Sequence, residues 1–203
     1  MYISLEQFRI FAAYQLPTVI HLHDKTFEPF ISSDEIGFAI AEMAKHIEDD
    51  FQDEVPVFIG ILNGSFMVLS DLLKQYKFPC EVEFLKLSSY QGIQSTGEVR
   101  ELIGSDKSFE GRSIIIVEDI VDTGNTIETL KRIFKSHNVK SFKIATLFFK
   151  PESYKKDIKI DYVGIRIPDK FIVGYGLDYN GLGRNLSDVY QLSPQPPVEE
   201  FSS

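Results

Sequence analysis

Glu118, Asp119 and Asp122 stand close together directly after a β-branched run, in the stretch IIIVEDIVDTGNTIETL from Ile114 to Leu130. Three carboxylates at the mouth of a strand repel one another, and they cost desolvation free energy where they are even half buried. Such a cluster suits a partner that needs acceptors or negative charge: vicinal sugar hydroxyls, metal-bound water, or a cationic reacting centre. Thr123, Gly124, Asn125 and Thr126 follow, and then a helical pattern. Gly124 lets the backbone bend tightly, the two threonines offer hydroxyls, and the free N–H groups of a helix start favour an anion. Asp122 stands between the acids and this phosphate cradle, where a general base could work.

The same residues also fit a helix capped by Asp122 or Thr123 with solvated acids beside it. Asp122-Thr123-Gly124 is, in addition, the catalytic triplet of aspartic proteases. Those enzymes need an all-β setting and a second aspartate to share the proton. Here no second triplet occurs, and a helical pattern follows at once. A Walker-type loop is excluded because no G-x-x-x-x-G-K is present.

The elements that would position these groups alternate along the chain. Ser32 and Glu35 fit a capping box ahead of a helix from about Asp34 to Phe51, with Ile36, Ile40, Met43, Ala44, Ile47 and Phe51 on one face. VPVFIGIL (55–62) is a short continuous apolar run, as expected of a strand covered on both faces. Asn63-Gly64-Ser65 makes a turn into a second helix, with Phe66, Leu69, Leu72, Leu73 and Tyr76 expected inward. CEVEFLKL (80–87), SIIIVEDI (113–120) and KSFKIATLFFK (140–150) read as further strands, and DYVGIRI and FIVGYGLDY as the last two. The long Ser-, Gly- and Thr-rich stretch between residues 88 and 112 reads as a functional loop, of the kind that closes over a site. Strand–helix alternation with apolar strands predicts an α/β fold with a mostly parallel sheet flanked by helices. Ligands of such sheets bind beyond the carboxyl ends of the strands, where Asn63, the acidic cluster and Lys150 all fall.

Composition agrees with one soluble domain. The chain has 203 residues, 43% hydrophobic and 25% charged, enough for a real core. No apolar run approaches the ~20 residues of a membrane helix, and Glu6 and Arg9 interrupt the N-terminal apolar segment, so no signal peptide is expected. Cys80 is the single cysteine, which excludes an internal disulfide and points to a cytoplasmic setting. A net charge of −9 argues against binding nucleic acid by neutralising phosphates. A single domain over residues 1–193 and a flexible tail over 194–203 are expected.

VEDIVDTGNT resembles the PRPP-binding signature of the type I phosphoribosyltransferases: two acids, then D-T-G-x-T, after a hydrophobic strand. ILNGSFMVLSDLL, LKLSSYQGIQSTGEV, FFKPES and IPDKFIVGYGLDYNGLGRNL extend the resemblance to the hypoxanthine(-guanine) phosphoribosyltransferases, over roughly Val55 to Leu186. The resemblance implies the type I phosphoribosyltransferase fold, with a small hood built from the terminal segments. It implies transfer of the phosphoribosyl group from PRPP to hypoxanthine or guanine, giving IMP or GMP and pyrophosphate, with Mg²⁺.

By the same resemblance, Glu118 and Asp119 would hold the ribose hydroxyls, directly or through metal-bound water, and Asp122 would take the proton from purine N7. Thr123, Gly124, Asn125 and Thr126 would bind the 5′-phosphate. Asn63, Gly64 and Arg184 would hold pyrophosphate, and Ser89 and Tyr90 would belong to the mobile loop. Lys150 would donate to the purine 6-oxo group, Phe171 would stack on the base and Ile172 would read its edge. Asp178 would bind a second Mg²⁺ and, with Ile172, shape the surroundings of the purine 2-position. A homodimer or homotetramer is expected on the same grounds, without membrane or nucleic-acid partners.

Asn63 and Asn125 depart from the family pattern, which commonly places lysine at the first and lysine or arginine at the second. Their loss is expected to weaken PRPP or phosphate binding without abolishing activity, because backbone N–H groups supply much of that contact. A xanthine-preferring enzyme and a non-catalytic PRPP-binding regulator are the competing readings. The pair His21-x-His23 lacks a third metal ligand, so no metal role is expected for it.

Overall fold

The computed structural model describes residues 19–87 and 108–194. The expected mobile-loop residues Ser89 and Tyr90 lie outside the described residues, as does nearly all of the expected tail.

Nine strands and three helices are described: β1 (Ile20–Leu22), β2 (Lys25–Ile31), α1 (Ser33–Phe51), β3 (Val57–Leu62), α2 (Phe66–Gln75), β4 (Glu81–Lys86), β5 (Ser113–Val121), α3 (Asn125–Lys135), β6 (Ser141–Phe149), β7 (Tyr162–Arg166), β8 (Ile172–Val173) and β9 (Val189–Leu192). Five strands form one sheet in the order β4-β3-β5-β6-β7, and every pair in it is parallel. The remaining four form a second, antiparallel sheet in the order β1-β2-β9-β8. It draws on both ends of the described chain and forms the hood.

The central strands are apolar without interruption because both faces of the sheet are covered. One face packs α1 and α2 through Ile40, Met43, Ile47, Leu69 and Leu72 against Phe58, Ile115 and Val117. The other packs α3 through Ile127, Leu130 and Phe134 against Ile59, Ile114 and Ile116. Alternate residues of β3 and β5 therefore serve opposite layers, as the pleat requires. The start of α1 forms as the sequence predicts: Ser32 accepts from the Glu35 amide, and the Glu35 side chain accepts from the Ser32 amide.

Two expectations are corrected. The FIVGYGLDY strand stops at Val173, because Gly174, Tyr175 and Gly176 all take positive φ (103°, 48° and 96°), which ends a ladder. Phe66 is 43% exposed rather than inward, since it opens α2 at the sheet edge. The segment before Ile31 holds two strands that no apolar run announces.

Candidate functional site

The sheet order places the chemistry. From β3 the chain crosses outward to β4 on one side, and β5 then joins β3 on the other. The turn after β3 and the turn after β5 thus lie side by side at a topological switch point, where α/β sheets bind ligands. The 370 Å³ pocket at this edge is lined by Leu62, Gly64, Glu118, Asp119, Asp122 and Thr123 to Thr126, with Ile61, Leu87, Ile120, Val121 and Ile127 beneath.

Gly64 and Asp119 touch across that point. The Gly64 Cα rests on the Asp119 carboxylate so closely that any β-carbon would overlap it. The preceding peptide bond, Leu62–Asn63, is cis. Asp119 also accepts from the Ile120 amide at 2.9 Å.

Glu118 is only 5% exposed. Burial raises its carboxyl well above the usual range, and the neighbouring Asp119 charge adds to this. Asp119 itself is pushed up to about 6, chiefly by burial and further by Asp178. Amide hydrogen bonds and Arg184 act in the opposite direction. Burial thus disfavours charge on both carboxyls, and hydroxyl donors or a cation at this point would stabilise their ionised forms.

The cradle that follows is open at the helix start. Gly124 is the N-cap of α3, with φ 84°, and among the described residues no side-chain hydrogen bond caps the helix there. Neither Asp122 nor Thr123 plays the capping role, so the plain-cap alternative fails. Thr123, Asn125 and Thr126 are exposed beside free N–H groups, an arrangement suited to phosphate.

Strand register brings in the next group. Val121 lies opposite Phe149 in the β5–β6 ladder, so the residues that follow, Asp122 and Lys150, emerge side by side. The Lys150 Nζ lies 3.0 Å from Asp122 Oδ2 and 3.0 Å from Asp169 Oδ1. Lys150 is 7% exposed, far from the surface lysine that a strand end usually carries. Asp169 is a site neighbour that the sequence did not single out. Its spacing, two residues before Phe171, was the available signal.

The hood supplies the rest. Phe171 is 47% exposed and packs its ring 6.2 Å from Phe27 and 5.8 Å from Tyr179, so it is not core. Ile172 is buried on β8, and β9 pairs with it through Gln191. Asp178 forms an ion pair with Arg184 and accepts from the Gly181 amide at 2.7 Å. Arg184 also donates to the Gly176 carbonyl at 2.6 Å. Gly176, in turn, lies so close to the Gly64 carbonyl that a β-carbon there would overlap it. The hood therefore presses directly on the turn after β3.

His21 and His23 hydrogen bond with Thr26 and the Asn180 carbonyl, both at 3.1 Å. Among the described residues no group of three or more His, Cys, Asp or Glu is placed to hold a metal ion alone.

Fold and site together set an acidic cluster and an open helix start at the carboxyl edge of a parallel sheet, beneath a separate hood. The phosphoribosyl transferase domain matches residues 32–180. The chain is 42% identical to the hypoxanthine-guanine phosphoribosyltransferase of Bacillus subtilis (strain 168) over 81% of its own length and 92% of that protein. It is 38% identical to that of Staphylococcus aureus (strain Mu50), over 86% and 98%. A crystal structure of a hypoxanthine-guanine phosphoribosyltransferase from Bacillus anthracis superposes with a TM-score of 0.76 at 39% identity, covering 82% of this chain and 98% of that one. The chain belongs to the phosphoribosyltransferase family and is a phosphoribosyltransferase.

Proposed function

We propose that the protein transfers the 5-phosphoribosyl group of PRPP to N9 of hypoxanthine and guanine, yielding IMP or GMP and pyrophosphate. The observation that carries this reading is the Lys150–Asp122 contact. A donor for a 6-oxo group and a carboxylate for N7 stand together beside the sugar-phosphate pocket.

In this reading N9 attacks C1′ of the ribose, the C1′–O bond to pyrophosphate breaks, and its electron pair leaves with pyrophosphate. Asp122 takes the proton that N7 gives up. Glu118 and Asp119 accept from the ribose 2′- and 3′-hydroxyls and lower the energy of positive charge that develops on the ring. The α3 start with Thr123, Gly124, Asn125 and Thr126 binds the 5′-phosphate. Asn63, Gly64 and Arg184 hold the pyrophosphate. Lys150 donates to the 6-oxo group, Phe171 stacks on the base, and the backbone at Ile172 reads its edge. Adenine is disfavoured because its 6-amino group would face another donor.

Mg²⁺ fits the donor set. Glu118 and Asp119 are hard oxygen ligands in a desolvated site, and Asp178 is close enough to Asp119 to act on its charge. With no complete protein cage among the described residues, such an ion would take its other oxygens from substrate and water, as Mg²⁺ commonly does. When bound, it would offset the charge of the pyrophosphate group. The exposed Val82, Phe84, Phe66 and Phe78 around β4 and α2 support a homo-oligomer, a homodimer or homotetramer, in which they are covered. The free thiol of Cys80 suits a cytoplasmic setting.

Pyrophosphate release tests the reaction, with PRPP and Mg²⁺ and, in turn, hypoxanthine, guanine, xanthine and adenine. Turnover with hypoxanthine and guanine but not adenine is expected. Turnover with xanthine alone would overturn the base assignment, and silence with all four would overturn the catalytic reading.

A further inference from the structure

The Lys150 ammonium is shared between two carboxylates of different rank. Asp122 belongs to the turn after β5, whereas Asp169 belongs to the short turn between β7 and β8, which Lys170 closes by donating to the Pro168 carbonyl at 2.8 Å. Both contacts to Nζ are 3.0 Å, and the lysine side chain is 8% exposed. The backbone at Lys150 is fixed as well: its amide donates to Val121, and its carbonyl accepts from Ser153 and Tyr154. The position of the ammonium is therefore set by its two partners. Hydrogen bonds from Lys150 first, then Ser153, hold the Asp169 carboxyl below the ordinary range, so it stands ionised against the ammonium.

A lysine ammonium has three protons to donate. Two are taken by these carboxylates and one is left. With Asp122 as sole partner, a nearly buried ammonium would follow that carboxylate wherever it moved. It would also lose its partner at the moment Asp122 accepts a proton. A second carboxylate at the same 3.0 Å, carried by a different turn, removes both problems.

We propose that Asp169 is a positioning and specificity-determining residue for the purine. It holds the Lys150 Nζ between itself and Asp122, so that the third N–H is fixed toward the 6-position of the base. It also keeps the ammonium there while Asp122 is protonated. A base with a 6-oxo group completes the set of acceptors. A base with a 6-amino group meets a donor that cannot retreat. This inference rests on the reading of Lys150 as the group that recognises the 6-oxo oxygen.

A double-mutant cycle tests it, because a residue that acts through another has no effect once that other is gone. Hypoxanthine kcat/KM at saturating PRPP is measured for wild type, Asp169→Asn, Lys150→Met and the double variant. IMP affinity by calorimetry gives the same cycle without turnover. Asp169→Asn is expected to lower kcat/KM for hypoxanthine by about tenfold, the scale of a partly exposed charged hydrogen bond. KM for PRPP should stay within about twofold on the same grounds, Asp169→Glu should recover most of the loss, and the Lys150→Met background should show no further loss. Equal losses in both backgrounds would overturn the proposal, as would no loss in the wild-type background. Lys150→Met with an unchanged hypoxanthine KM and IMP affinity would sink the reading of Lys150 itself, and this proposal with it.

Discussion

The β-carbon that Gly64 lacks would stand inside the carboxylate of Asp119. The turn after β3 thus meets the end of β5 at a place where neither can give way without moving a site group. Gly64→Ala is expected to displace Asp119 and lower kcat/KM for PRPP by about 10²-fold, the cost of misplacing a catalytic group by about an ångström. Overpacking should also cost about 1–3 kcal/mol of stability. Steady-state kinetics and a denaturant titration check both. An active variant of wild-type stability would show that the contact is dispensable.

Asp122 lies beside Lys150 by register and opens the cradle. Asp122→Asn keeps the shape and removes the proton acceptor. A fall in kcat of about 10²–10⁴-fold, with little change in PRPP affinity, is expected. Single-turnover kinetics with hypoxanthine measures it, and wild-type turnover would remove Asp122 as the base.

Lys150→Ala leaves Asp122 and Asp169 without their cation, yet both side chains are largely exposed, at 44% and 62%. The variant should therefore fold. KM for hypoxanthine is expected to rise about 10–100-fold, as for a lost hydrogen bond from a charged donor, and by much more than KM for PRPP. An effect confined to PRPP would place Lys150 on the wrong substrate.

Asp119 makes a pH signature in the metal-free protein. Its carboxyl is raised from 3.8 to about 6 in the folded chain, so between those values the folded state keeps a proton that the unfolded state has released. Its contribution to stability is greatest at low pH and is lost as pH rises through about 6. Asp119→Asn removes that loss. The melting temperature of the variant relative to wild type should therefore climb from about pH 4 to about pH 6.5 and then level off. A difference that is flat across this window would mean that Asp119 is not held as a raised carboxyl. Adding Mg²⁺ with PRPP should flatten the wild-type slope.

What could be seen in the sequence follows physical range. Ile114 to Val117 are apolar on both faces and read as a central strand from local pattern alone. Gly124 after an acidic cluster marks a tight turn into a helix for equally local reasons. The hood strands do not read this way. Phe27 pairs with Leu192 across most of the chain, and the β2–β9 register shifts between Pro29 and Ile31, so neither alternation nor an apolar run survives. Phe171 and Ile172 were recognisable only through resemblance, because a half-exposed Phe carries no pattern of its own. Asp169 was missed because its importance depends on where the Lys150 Nζ comes to rest, which is a matter of register between β5, β6 and β7.

The antiparallel hood also sets an order of completion. Glu118 to Thr126 and Asn63-Gly64 are adjacent once β3 and β5 pair, and all of these residues precede α3 or lie in its first turn. Phe171 and Ile172, by contrast, join β9, which pairs with β2 from the opposite end of the chain. A growing polypeptide can therefore assemble the half of the site that holds sugar and phosphate well before the half that holds the base. Chains cut short before Val189 should keep the first half and lack the second.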